Sequence, residues 1–385
     1  MKSLLPFLAL AASFPAGAFG QDANPYLSLQ LEMRHAIKRG NAYLKAEQDP
    51  AGYWRDPDTP ALTALPLTAA IRDPNLEPGT PLPEYVRNGY DWLLGKQKED
   101  GGIYGKGLAS YNTSAAIMAL LARGREADEP AILRARAFLV NQQTDWNTKG
   151  EIDNKFDGGV GYGGSYAHSD LSNTYLALEA LYHSRPIAED NKHGEQPELD
   201  WKAALKFVSR CQNLEATNDL GWASDNPADK GGMVYFPGNS KAGERELPDG
   251  RVALRSYGSM SYAGLLSFIY ADLDRDDPRV KAVLDWLGRN YTLEENPGLG
   301  LQGLYYYYHT LTKALVAARI DRLPLGEGKS ADWRRDLAQA LLRSQNTNGS
   351  WVNPNSRWWE NDPVLVTSYV VLTLEQIDAS LPAPE

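Results

Sequence analysis

The densest run of reactive side chains is Tyr305-Tyr306-Tyr307-Tyr308-His309, with Lys313 one turn further on. On a helix, Tyr306, His309 and Lys313 share one face, because residues three and four apart are neighbours. That face offers a phenol, an imidazole and an amine, a set suited to general acid–base work near neutral pH. A second group is His168 and Asp170, two residues apart on a loop, where imidazole and carboxylate can orient each other. Tyr306, His309 and Asp170 are therefore the catalytic candidates. Asn112, His168, Asn173, Tyr257, Tyr308, Lys313 and Asp362 are the candidates for lining a ligand pocket. The acidic turn at residues 225–232 reads as a solvated loop rather than a calcium site, and no metal or cofactor is expected.

These residues need elements to hold them, and the chain supplies the same element repeatedly. An aromatic or aliphatic pair, then a Gln, then a Gly-rich turn with an aromatic recurs at Gln48, Gln97, Gln143, Gln212 and Gln345. A degenerate copy has Tyr291 in place of Gln, which makes six units. Before each Gln lies an amphipathic stretch, such as Val86, Tyr90, Leu93 and Leu94 on one face. After each turn comes a helix apolar nearly all round, as in Ser114 to Leu121, and such a helix is buried. Six pairs of one outer and one buried helix close most simply into an all-α double ring, an (α/α)6 toroid. The inner-helix starts are expected to surround a central pocket. No run alternates with period two, so strands are not expected. The ring is expected to occupy residues 30–378, with a disordered tail at residues 379–385.

Composition narrows the partners. The 385 residues carry a net charge of −10, which disfavours a nucleic-acid-binding surface. One cysteine excludes an internal disulfide framework. Lys2, an apolar run over residues 4–14 and small residues at 16–20 read as a secretory signal, so residues 1–20 are expected to be removed and the protein exported. No other stretch has the roughly 20 apolar residues of a membrane-spanning helix.

The units resemble the repeats of the terpenoid cyclase and protein prenyltransferase superfamily, known as prenyltransferase/squalene oxidase repeats. The likeness is clearest over residues 39–54, where Tyr43-Leu44, Gln48, Gly52 and Trp54 keep the whole Gln-to-Trp pattern of squalene–hopene cyclases. The resemblance implies the toroid fold and a central ligand site. It also implies chemistry that can be tested residue by residue. The Asp-x-Asp-Asp acid of class II cyclases is reduced here to Asp170-Leu171-Ser172-Asn173, so the aspartate lacks the acidic partner that would raise its pKa. The letters recur at Asp274-Arg275-Asp276-Asp277, where Asp277 before Pro278 reads as a helix cap. The zinc ligands of prenyltransferases reduce to Tyr308-His309, and Cys211 lacks the context of a thioester cysteine. The expected function is binding of a small-molecule, lipid or glycan ligand in the central pocket. The alternatives are a secreted polysaccharide lyase or hydrolase, a genuine isoprenoid cyclase or transferase, and a scaffold without a pocket.

Overall fold

The computed structural model describes residues 25–381, apart from residues 78 and 164–167. The signal segment and residues 382–385 of the expected tail lie outside the described residues. Among the described residues, twelve long helices alternate in position along the chain. The outer ones are α1 (Leu27–Ala46), α3 (Glu84–Leu94), α5 (Glu129–Val140), α7 (Trp201–Arg210), α9 (Pro278–Arg289) and α11 (Trp333–Arg343). The inner ones are α2 (Ala61–Arg72), α4 (Ala109–Arg123), α6 (Leu171–His183), α8 (Gly258–Tyr270), α10 (Leu304–Ala317) and α12 (Pro363–Ser380). Each inner helix packs on the next, and α12 packs back on α2, so the inner ring is closed. The outer helix α1 packs on α12 as well as on α2, which joins the end of the chain to its beginning.

Residue type explains the division. In α8, twelve of the thirteen residues are buried, and in α12 fourteen of eighteen are. The outer helix α7 buries one stripe, including Ala203, Ala204, Phe207 and Val208, and leaves Lys202 to solvent. The core runs continuously through both rings and includes Trp54, Tyr90, Phe207, Tyr262, Trp333 and Trp351.

The recurring glutamines staple neighbouring units. Nε2 of Gln97 donates to Gly101 O in its own turn (2.9 Å) and to Ala131 O in the next outer helix (2.8 Å). Gln48 does the same with Gly52 and Tyr85, Gln143 with Gly158 and Asp200, and Gln212 with Gly231 and Arg279. Gln345 reaches Gly349 in its turn and Ala36 in α1 (3.0 Å), so the last staple closes the ring. The turn must be glycine. At Gly158 (φ +86°) and Gly231 (φ +91°) the backbone is left-handed, and a Cβ would run into the carbonyl of Ala203 or Ala282 on the next outer helix. After each turn the chain is tied down again: the N–H groups of Trp54, Ile103, Val160, Met233 and Trp351 donate to Thr63, Thr113, Thr174, Ser261 and Thr367 on the inner helices.

Two short hairpins depart from the sequence expectation: Glu244–Glu246 with Val252–Leu254, and Leu323–Gly326 with Lys329–Ala331. Strands of three or four residues are too short to show a period-two pattern. The acidic turn is built into the first of these insertions. Asp225 pairs with Lys230, and Asp229 pairs with Arg245 and accepts from Ser256 N.

Candidate functional site

A cavity of about 600 Å³ lies on the axis of the inner ring, lined by residues from all six inner helices. Its size is within the roughly 300–1,000 Å³ usual for small-molecule sites. One end is closed by Tyr111, Tyr175, Tyr306 and Tyr369, one from each of four inner helices. Tyr111 and Tyr369 meet through their hydroxyls at 3.4 Å, and Tyr306 shares a 2.9 Å hydrogen bond with Ser172. Burial raises the phenol pKa of all four, so they stay neutral. The other end is bordered by Arg72, Ala122, His183 and Ala317, at the C-terminal ends of their helices, where Arg72 and His183 are exposed. The walls between are Leu65, Met118, Leu176, Val316 and Leu372, with a few polar groups.

Tyr306, His309 and Lys313 do share one face of α10, and all three line this cavity. His309 is 8% exposed and stacks on Tyr369, ring centroids 5.3 Å apart. Its Nδ1 and the Ser114 Oγ on the facing α4 are buried without a partner among the described residues. Burial first, then the cations Lys313 and Arg72, hold the imidazole well below its ordinary 6.5, so it is neutral at pH 7. The Lys313 ammonium forms an ion pair with Glu179 of α6, and Tyr270 donates to the same carboxylate at 3.4 Å. Among the described residues no hydrogen bond links Tyr306, His309 and Lys313 to one another.

The other expected site residues lie elsewhere, and helix starts explain why. The first N–H groups of a helix lack intrahelical partners, so polar residues there are taken up as caps and straps. Asp170 is the N-cap of α6: its Oδ1 accepts from Asn173 N (2.9 Å) and its Oδ2 from Asn173 Nδ2 (2.8 Å). Asn112 links α4 to α2 by accepting from Ala61 N and donating to Gly107 O. Asp362 caps α12 and pairs with Arg55 at 3.1 Å. Tyr308 turns outward and donates to Leu293 O at 2.5 Å, while Tyr257 is the buried N-cap of α8. His168 packs on Phe156 and Phe236 and makes no hydrogen bond to Asp170 among the described residues. Asn112, His168, Asn173, Tyr257, Tyr308 and Asp362 are thus absent from the cavity lining, which sits toward the other end of the ring.

Of two acids outside the cavity, Asp170 departs from expectation and Asp277 follows it. Asp170 is wholly buried, and burial alone pushes its carboxyl up to about 6 against the lowering by Asn173, with no second carboxylate needed. Asp277 caps α9 through Arg279 N, as its place before Pro278 suggested. Sequence reasoning missed Glu179, Tyr270, Ser114 and Arg72. The available signal was the carboxylate in Leu178-Glu179-Ala180-Leu181, a charge in an otherwise apolar helix.

No protein-family model matches the chain, and no curated protein matches it. Solved structures do. The type II terpene cyclase MstE from Scytonema, in a variant complexed with merosterolic acid A (product), aligns with a TM-score of 0.54 at 13% identity, over 91% of this chain and 99% of that one. Its apo form gives a TM-score of 0.53 at 14% identity over the same shares of both chains. A further variant, complexed with geranylgeranyl dihydroxybenzoate (substrate), gives 0.54 at 13%. Likeness at this identity speaks to architecture, and the architecture is plain: the chain has the α/α toroid fold of terpenoid cyclases.

Proposed function

We propose that this protein is exported and binds a small, largely apolar molecule in the cavity at the ring centre. The observation that carries this is the lining: apolar side chains and tyrosines from all six inner helices surround one cavity, with the buried polar residues Ser114 and His309 among them. An elongated isoprenoid-derived molecule of the kind held by MstE suits such walls. His309 and Tyr306 are the residues we assign to ligand contact. Native mass spectrometry of the chain purified from its own cells tests this. A retained small molecule is expected. A chain that stays empty and shows no saturable binding of apolar ligands would refute it. N-terminal sequencing of the same sample tests export, with a mature start at residue 19 or 21 expected.

A second reading, cyclisation by alkene protonation, has one observation in its favour: a buried carboxyl at the start of an inner helix that titrates at about 6. Against it, both Asp170 oxygens accept from Asn173 and neither is part of the cavity lining. Incubation with geranylgeranyl dihydroxybenzoate, with product sought from wild type and from Asp170→Asn, decides it. Product from the wild type alone would establish the second reading.

A further inference from the structure

The cavity's charges do not cancel. Two cations border it, Lys313 at mid-depth and Arg72 at the exposed end, against one carboxylate, Glu179. Glu179 is taken: it pairs with Lys313 and accepts from Tyr270. Arg72 makes no ion pair or hydrogen bond with the described residues. Its sequence neighbour Asp73 engages Asn41 and Asn75 instead. The other acid nearby is Glu375 of α12, a buried carboxyl that forms no ion pair with Arg72 and whose pKa burial pushes well above its ordinary 4.5. The two imidazoles add no charge. Burial leads in lowering both His309 and His183, and Lys313 and Arg72 act on each of them in the same direction. Lys313 is thus paired, and Arg72 is left as a cation without a paired carboxylate at the open end of a largely apolar and tyrosine-lined space.

We infer that the ligand is an amphiphile with a single anionic head group, its chain against the apolar walls and its head at the open end beside Arg72 and within reach of the His309–Lys313 face. This rests on the proposed ligand site and adds the chemistry of the head. A carboxylate fits best, because a guanidinium offers two parallel N–H donors matched to its two oxygens. A neutral imidazole supplies one more donor without demanding a counter-charge. A cationic head is disfavoured by the same charge balance, although the six tyrosines along the walls would suit one by cation–π contact.

The test uses the full mature chain and three probes of one chain length: dodecanoate, dodecanol and dodecyltrimethylammonium, each titrated calorimetrically below its micelle concentration. Dodecanoate is expected to bind about tenfold to a hundredfold more tightly than dodecanol, the range of one charge-assisted hydrogen-bond pair. Arg72→Gln should remove most of that advantage, bringing dodecanoate close to dodecanol, while Arg72→Lys should retain part of it. Arg72 is exposed and makes no structural bond, so these variants keep the fold. Equal affinity for dodecanoate and dodecanol, or preference for the ammonium, would overturn the anionic head and leave the cavity reading intact. No binding by any of the three would instead refute the cavity reading itself.

Discussion

Asp170 gives the sharpest quantitative consequence of the ring's burial. Its carboxyl is ordinarily half-ionised at 3.8 and is pushed up to about 6 in the fold, chiefly by loss of water. The folded state therefore holds its proton more tightly than the unfolded chain does. Between those two values the folded state binds more protons, so stability falls as pH rises, and the benefit is fully present only below 3.8. Converted at about 1.4 kcal/mol per tenfold, the difference is about 3 kcal/mol between pH 3 and pH 7. Asp170→Asn removes the titration and keeps the cap, since Asn and Asp cap helices about equally well. Asn173 can accommodate the new amide, because its Oδ1 has no partner among the described residues and can accept from it. Urea unfolding of both proteins at half-unit steps from pH 3 to pH 8 is the assay. The difference between them cancels the other titrations, including His309, which acts in the opposite sense and weakens the fold as pH drops below 6.5. The variant should gain about 3 kcal/mol on the wild type as pH rises from 3 to 7. A difference that stays flat over this range would show that Asp170 is hydrated, and the burial argument would fail.

Three other outcomes are expected. Gln345→Ala removes the bond to Ala36 that closes the ring and the bond to Gly349 in its own turn, and should lower stability by about 1–3 kcal/mol in denaturant unfolding, and Gln97→Ala should behave alike. Gly158→Ala should destabilise severely or prevent folding, whereas Gly107→Ala, where an added Cβ meets nothing within 4 Å, should be tolerated. Lys313→Met strands the Glu179 carboxylate in the interior and should be destabilising by about 3–5 kcal/mol, with much of the loss recovered by adding Glu179→Met; failure of the second change to rescue would contradict the buried pair.

How much was legible follows from what kind of constraint each feature imposes. The ring could be read because its joints demand particular residue types: Gln is long enough to bridge a turn and the next helix, and only Gly fits the left-handed turn against a carbonyl. The fifth unit has Tyr291 in place of Gln, and there Asn296 ties the turn back to the preceding inner helix α8, accepting from Ser259 N and donating to Ser259 Oγ, much as Asn112 accepts from Ala61 N of α2. The cavity's position could not be read the same way. Polar and aromatic residues mark helix starts, but those side chains serve as caps and straps, as Asn112, Asp170 and Asp362 do. A void forms where side chains are short, at Ala115, Ala122 and Ala317, and small residues in an apolar helix leave no distinctive mark. The Tyr306, His309, Lys313 face could be found because three reactive groups at helical spacing stand out. Its partner Glu179 comes from a helix more than a hundred residues away, a juxtaposition that only the closed ring creates.

The central claim is that the space between the six inner helices is a ligand site. Filling that space tests it most directly. Ala115 faces the cavity from α4 and is only partly buried, so Ala115→Phe places a ring in the void without displacing the packed core. Calorimetric titration of dodecanoate into wild type and Ala115→Phe, with unfolding curves to show that both are folded, is the measurement. The account expects one saturable site in the wild type and its loss in the variant at unchanged stability. Equal binding by both proteins would place the ligand outside the ring and contradict the account.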